Sequence, residues 1–119
     1  MHRDMNLVRQ ILLKIEEHPE PMGWVELDIP GYSPEQAAYH VMILADAGLV
    51  EAVNLSSFDG FEWKPKHLTW EGHEFLEASR DEKRWRKALE LMKKKGGGIA
   101  FDVLKDLLLQ LMRTNVLSG

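Results

Sequence analysis

SPEQAAYHVMILADAGLV, at residues 33–50, carries both a start signal and a stop signal for a single helix. Ser33 is a favoured N-cap, Pro34 suits the first helical position, and Gln36 completes an S-x-x-Q capping box. Gly48 is the residue type that most often ends a helix, and the apolar pair after it begins an extended run. The stretch therefore predicts one helix with a buried stripe and an outer face.

The segments before this helix predict a first helix and a short strand. Asp4 is placed to cap a helix that ends near Glu17, because apolar residues recur between them at helical spacing. Residues 19–32 contain three Pro and two Gly, which predicts a loop. Within that loop, residues 24–29 alternate in the period of a half-buried strand.

The segment after the helix predicts a hairpin. Residues 50–55 and 61–68 read as two strands, and Asp59-Gly60 lies between them as a favoured turn pair. Pro65 has no N–H to donate, so it predicts an edge or a bulge in the second strand.

The C-terminal part of the chain is predicted to be helical. Thr69 can cap a helix after the hairpin, and Asp81 can cap another that runs to Lys95, unless the two form one continuous helix. Three glycines at 96–98 end this region and predict a hinge. The last helix, at about 100–114, is apolar over more than half of its circumference, so it must be buried on its own domain or on a partner.

The order helix, strand, helix, hairpin, helix resembles a winged-helix domain, and two motifs support this. HVMILADAGLVEA, at 40–52, resembles the end of the recognition helix and the first wing strand of many bacterial regulators, and LTWEGHEFLEA, at 68–78, resembles the segment after the wing. With GYSPEQAAYH at 31–40 and GGGIAFDVLKDLL at 96–108, residues 3–113 resemble a family of small uncharacterised winged-helix proteins of bacteria and their phages, classed as a domain of unknown function. This resemblance implies a fold and a prokaryotic setting, and it implies no catalytic residues.

We therefore expect an α+β fold. Residues 1–80 would form a winged helix-turn-helix-like domain, with a three-stranded sheet and a wing hairpin. Residues 81–119 would form a C-terminal helical extension that packs on it or on a dimer mate.

Composition favours a cytoplasmic globular protein: 45% of residues are hydrophobic, Cys is absent, and no apolar run is long enough to cross a membrane. The charged N-terminus lacks the apolar core of a signal peptide.

The charge of the chain is unevenly distributed, which bears on its partners. Residues 1–80 carry six Lys or Arg and fourteen Asp or Glu, about −8, whereas residues 81–119 carry nine and five, about +4. An acidic body is a poor non-specific binder of nucleic acid. The basic part could dock on acidic surfaces, including a second copy of the chain.

Duplex DNA is one candidate partner. Alignment on the recognition-helix motif predicts an outer face made of Glu35, Gln36, Ala38, Tyr39, Met42 and Ala45. The candidate wing residues are Asp59, Gly60, Lys64 and Lys66. Because this helix face has no Lys or Arg, it offers little to phosphate.

Two further surfaces are candidates for binding. One is a basic patch, of which the alternative interpretation is a solvated helix face: Arg80, Lys83, Arg84, Arg86, Lys87, Lys93, Lys94 and Lys95. The other is an apolar interface for a homodimer or another protein, on the last helix: Leu104, Leu107, Leu108 and Leu111. Ala38, Met42 and Ala45 also make the outer face of the central helix smooth enough for helix packing, unless they belong to a wide core stripe.

Enzymatic interpretations find little support in the sequence. The five His show no metal-ligand spacing, and the three glycines at 96–98 lack the Lys-Ser/Thr of a phosphate-binding loop. His40 is interpreted as a packing or hydrogen-bonding residue rather than a base. We therefore expect no enzyme activity, no cofactor, no metal and no small-molecule substrate.

Overall fold

A computed structural model describes the backbone of residues 1–94 and 101–118, and the side chains of residues 1–94 and 102–113. This part of the chain is a mixed α+β structure with five helices and one two-stranded antiparallel sheet. The elements are α1 (Met5–Glu17), α2 (Pro34–Asp46), β1 (Val50–Asn54), β2 (Trp63–Leu68), α3 (Trp70–Ser79), α4 (Glu82–Lys94) and α5 (Phe101–Ser118). The predicted hinge at 96–98 and Lys95 lie outside the described residues.

The chain divides into two compact units, Met1–Glu74 and Phe75–Gly119. The predicted domains, 1–80 and 81–119, and the packing of the extension stay predictions. In the first unit α1 and α2 pack on each other, and both pack on the hairpin of β1 and β2. The apolar residues of α1 that are buried are Met5, Leu7, Val8, Ile11, Leu12 and Ile15.

Helix α2 begins and ends as its sequence predicts. Gln36 N–H donates to Ser33 Oγ (3.1 Å), and Ser33 N–H donates to Gln36 Oε1 (2.8 Å), which completes the capping box. At the other end Gly48 has a φ of +78°, and Leu49 N–H donates to the carbonyl of Leu44 (3.0 Å). This is the arrangement of a Schellman motif, which a residue without Cβ enters at least cost.

The hairpin contains the predicted bulge, and its turn lies at a different position from the predicted one. Glu51 pairs with His67 and Ala52 with Pro65, so Lys66 is the extra residue of a bulge beside the proline, as expected. The turn is closed by mutual backbone bonds between Ser57 and Gly60.

Phe58 and Asp59 are therefore the central turn residues, and the prediction of Asp59-Gly60 is wrong by one position. A favoured two-residue hairpin turn centred on Asp59-Gly60 needs positive φ at Asp59, and in type I′ at Gly60 as well. In the described residues only glycines have positive φ.

The predicted third strand, at 24–29, is not part of the sheet in the described residues. That segment does approach the hairpin, since Val25 N–H donates to the carbonyl of Pro65 (2.8 Å). In a strand the N–H and C=O of one residue point to the same side, so Pro65 faces Val25 with an acceptor but no donor. The paired bonds of a ladder cannot form at this position, and the three-stranded sheet becomes a two-stranded one.

Thr69 and Gly72 tie the start of α3 to the end of α2. Thr69 Oγ1 accepts from Gly72 N–H (3.0 Å) and donates to the carbonyl of Gly48 (2.6 Å), so Thr69 is the predicted N-cap and also a link between helices. A Cβ on Gly72 would overlap the carbonyl oxygen of Leu49, which explains the glycine.

Residues 70–94 form two helices rather than one. Asp81 Oδ1 accepts from Arg84 N–H (2.8 Å), which makes Asp81 the predicted cap of α4. In the second unit α4 packs on α5, and the rings of Phe75 and Trp85 meet edge to face, with centroids 6.3 Å apart. The face of α4 that carries Trp85, Ala88 and Met92 is buried.

Candidate interaction surfaces

The outer face of α2 is less open than the alignment predicts. Glu35 and Gln36 are exposed, and Tyr39, Met42 and Ala45 are half-buried. Ala38 is only 7% exposed, which corrects its expected place on the outer face. Ala38 therefore belongs to the wide core stripe that the sequence left open as the alternative.

Gln36 and Tyr39, the uncharged polar residues of this face, both make contacts within the chain. Gln36 Oε1 accepts the Ser33 N–H as part of the capping box. The Tyr39 ring packs edge to face on the His40 ring, with centroids 5.7 Å apart. Base reading would need the Gln36 side chain to leave its cap, which would cost about 1 kcal/mol of helix stability.

The candidate wing holds its first lysine in ion pairs. Lys64 Nζ donates to Glu26 Oε2 and lies 3.8 Å from Glu62 Oε1. The bond from Lys64 lowers the pKa of Glu26 below its usual value, and a bond from the Trp24 indole N–H lowers it further. Of the candidate wing cations, Lys66 alone is exposed, at the bulge.

A cleft of about 280 Å³ lies between the start of α2 and the hairpin, and it is called the α2–hairpin cleft below. The residues that line it are Leu27, Pro34, Ala37, Ala38, Ser57, Asp59, Gly60, Phe61, Glu62, Trp63 and Lys64. Phe61 also lines a more open depression next to it, together with Met1, Glu35 and Tyr39. No sequence motif indicated this cleft, because its two sides are set by how the hairpin folds against α2.

His40 joins the start of α1 to α2 through two hydrogen bonds. Its Nε2 accepts from the Asp4 N–H (2.8 Å), and its Nδ1 lies 2.8 Å from the Gln36 carbonyl, so Nδ1 carries the proton. Asp4 caps α1 through Oδ1 and accepts the Tyr32 hydroxyl proton at Oδ2 (2.9 Å). This bond, with burial, raises the pKa of Tyr32.

His40 is therefore the buried hydrogen-bonding residue that the sequence indicates, at 2% exposure. Its bond to Asp4 and the role of Tyr32 were not predicted. Asp4 lies 36 residues before His40 and 28 residues before Tyr32. No short sequence motif links residues so far apart.

Two residues of the predicted basic patch, Arg80 and Arg84, make contacts within the chain. Arg84 is half-buried and donates from Nη1 to the Ala78 carbonyl (3.0 Å), and Arg80 pairs with Glu77 (3.3 Å). Five exposed cations remain on the described part of α4, and they are called the α4 basic face: Lys83, Arg86, Lys87, Lys93 and Lys94. They lie on the side of the helix opposite its buried stripe.

The candidate interface on α5 is partly core. Leu104 and Leu108 are fully buried within the chain, which differs from the exposure that an interface requires. Leu107 and Leu111 are half-buried, and Val103 is 39% exposed. These last three, together with the half-buried Leu109 and Met112, leave apolar surface that a partner could reach on the described part of α5.

The described residues hold neither a metal-binding cluster nor a membrane-spanning helix. Within them, no three His, Asp or Glu side chains are grouped so that they could hold a metal ion. None of the helices in that part of the chain has the length and apolar character needed to span a membrane.

Comparison with known proteins places the chain in a family. Residues 2–98 match the model of a family described as "Hypothetical protein (DUF2513)". An uncharacterized protein of Haemophilus influenzae is 35% identical over 107 residues, which cover 89% of this chain and 91% of that protein. No solved structure gives a significant match. The expectation of a family of unknown function is thus confirmed, and the chain belongs to the DUF2513 family.

Proposed function

We propose that the chain is a non-enzymatic cytoplasmic regulatory module of winged-helix type, and that it binds duplex DNA through α4 rather than through α2. The order of α1, α2, the hairpin and α3 supports the winged-helix assignment. The bond from Val25 to Pro65 supports it further, because it lies where the third strand of such a domain would pair.

The α4 basic face is the observation that carries the proposal. It presents five exposed cations, and the exposed carboxylates of α4 are those of Glu82 and Glu90. The outer face of α2 offers Glu35 and no Lys or Arg. Because each cation that neutralises a phosphate releases bound counterions, α4 is the better surface for DNA.

The expected mode of binding is contact with phosphates rather than reading of bases. Four of the five cations are Lys, which act as point charges and lack the planar fork that Arg uses to read guanine. Trp85, the aromatic residue of α4, is 1% exposed and cannot stack on a base. Binding should therefore be independent of sequence and sensitive to salt.

The acidic remainder of the chain weakens this binding without preventing it. Residues 1–74 carry five Lys or Arg and thirteen Asp or Glu, a net −8, and residues 75–119 carry ten and six, a net +4. At physiological ionic strength charges are screened over about 8 Å. Local contacts of the α4 basic face therefore count for more than the net charge of the chain.

The test is fluorescence anisotropy of a labelled duplex titrated with the full chain at several salt concentrations. The variant Lys83→Gln/Lys87→Gln/Lys94→Gln removes three cations of the α4 basic face. The control Arg3→Gln/Lys14→Gln/Lys66→Gln makes the same change in net charge on exposed residues of the first unit.

We expect the α4 variant to bind at least about tenfold more weakly. The slope of log affinity against log salt should fall by about 2.7, or about 0.9 for each phosphate that is no longer neutralised. The control variant should bind like the unaltered chain. Equal affinity of the α4 variant and the unaltered chain, or no binding by folded protein at low salt, would reject the proposal.

A second candidate function is protein interaction without DNA binding, with self-association as its simplest case. Two exposed aromatic side chains of the hairpin favour it, because Phe58 is fully exposed and Phe61 is 43% exposed. Light scattering over a range of concentrations tests self-association: a mass near twice the 13.7 kDa of the chain supports it, and one chain mass at all concentrations rejects it.

A further inference from the structure

We propose that the α2–hairpin cleft binds a short peptide segment of a partner protein in which an apolar side chain is flanked by Lys or Arg. This inference does not depend on the α4 basic face, and it assigns a separate site to the first unit.

Apolar and polar side chains share the lining of the cleft. Its apolar members are Leu27, Pro34, Ala37 and Ala38, together with the half-buried Trp63. Small residues on α2 leave room between the helix and the hairpin, because neither alanine projects beyond its Cβ. An apolar side chain that contacts these residues removes both its own surface and theirs from water.

The cleft, of about 280 Å³, has room for an apolar side chain. The neighbouring depression at Met1, Glu35 and Tyr39 continues the surface past Phe61. An extended segment can therefore place one side chain in the cleft and the next beside it.

The charge at the rim selects a basic segment. Asp59 and Glu62 line the cleft, and Glu35 lines the adjoining depression. Lys64 also lines the cleft; it bonds to Glu26 and lies 3.8 Å from Glu62, so Asp59 and Glu35 are the carboxylates of this surface with which it does not pair. A flanking Lys or Arg would be attracted by these carboxylates, whereas an acidic segment would be repelled.

Phe61 lies where the two concavities meet and is therefore the central contact. Phe61 lines both of them and is 43% exposed. An exposed aromatic ring attracts a cation through its quadrupole and also offers apolar surface to a neighbouring side chain. Phe58, three residues earlier, is fully exposed but does not line the cleft, so it provides a matched control.

The test is selection from a random-peptide phage library on the immobilised full chain, followed by calorimetry with the enriched peptides. We expect enrichment of sequences with an apolar residue flanked by Lys or Arg. Phe61→Ser should weaken binding of these peptides at least about tenfold, whereas Phe58→Ser should leave it unchanged.

The charge requirement is tested by Asp59→Asn/Glu62→Gln, which leaves the apolar side chains of the cleft unchanged. This variant should bind the enriched peptides several-fold more weakly and lose the preference for Lys and Arg. Enrichment of acidic peptides, no enrichment, or equal weakening in Phe61→Ser and Phe58→Ser would overturn the proposal. The α4 variant should retain peptide binding, so failure of the DNA proposal and failure of this one are distinguishable.

Discussion

The Nε2 atom of His40 accepts a hydrogen bond of 2.8 Å from the backbone N–H of Asp4, the residue that caps α1. One imidazole therefore joins the start of the first helix to the second turn of α2. Because its Nδ1 donates to the Gln36 carbonyl, both ring nitrogens have partners and neither is free to act as a base. His40 thus has the hydrogen-bonding role that its sequence context indicates.

Replacement of His40 is expected to destabilise the fold. His40→Ala would leave the Asp4 N–H without its partner and a space between the two helices, at a cost of about 2–4 kcal/mol in the free energy of unfolding. His40→Phe fills the space but restores neither bond, so it should still cost about 1–3 kcal/mol. Urea denaturation measures both, with exposed His73→Ala as the control expected to change stability by less than about 0.5 kcal/mol.

Replacement of Gly72 tests the contact between α3 and the segment after α2. Alanine in a helix is ordinarily about 1 kcal/mol more favourable than glycine. Here the added Cβ would overlap the Leu49 carbonyl oxygen, which is fixed by a bond from the Thr69 N–H (3.0 Å). Gly72→Ala should therefore lower the free energy of unfolding by about 1–3 kcal/mol. Glu74→Ala, at an exposed position of the same helix, should be near neutral, and a stabilising Gly72→Ala would contradict this account.

The bond between Tyr32 and Asp4 predicts a stability change at alkaline pH. The carboxylate of Asp4 accepts the phenol proton and, with burial, raises the pKa of Tyr32 in the folded chain above the unfolded value of about 10. The bond therefore stabilises fully below about pH 10, and its contribution is lost as pH rises through the folded pKa.

Tyr32→Phe should accordingly cost about 1 kcal/mol at neutral pH, and this difference from the unaltered chain should shrink at higher pH. Tyr39→Phe is the matched control, because the Tyr39 hydroxyl makes no hydrogen bond within the described residues and is expected to show no such trend. The measurement is the free energy of unfolding of the three proteins across the alkaline range. If the stability difference between Tyr32→Phe and the unaltered chain grew with pH, the proposed role of the bond would be rejected.

The sequence predicted those parts of the fold that depend on neighbouring residues. Ser33 and Gln36 form their capping box, Gly48 ends α2, and Asp81 caps α4, because each signal acts within one turn of a helix. Features that need distant partners were missed. Pro65 was expected to disturb β2, but its effect on pairing with Val25 could be seen only once the two segments were adjacent.

The candidate site was predicted less well than the fold, for the same reason. Helical spacing cannot tell whether Ala38 faces solvent or the hairpin, since the answer depends on how β1 and β2 fold back onto α2. In the same way, composition identified Lys64 as a cation but could not reveal that Glu26, 38 residues away, binds it. The cleft beside Phe61 arises from these distant contacts.

Substitutions at Leu104 and Leu107 test whether α5 packs only within its own unit or also forms an interface. Leu104 is fully buried, so Leu104→Ala should lower the free energy of unfolding by about 2–4 kcal/mol without a change in mass by light scattering. Leu107 is half-buried, so Leu107→Ala should cost clearly less. If α5 instead forms a dimer interface, Leu107→Ala would lower the mass of a dimer while the free energy of unfolding at low concentration stays nearly unchanged. Denaturation at two protein concentrations separates these outcomes, because only an assembled form gains stability with concentration.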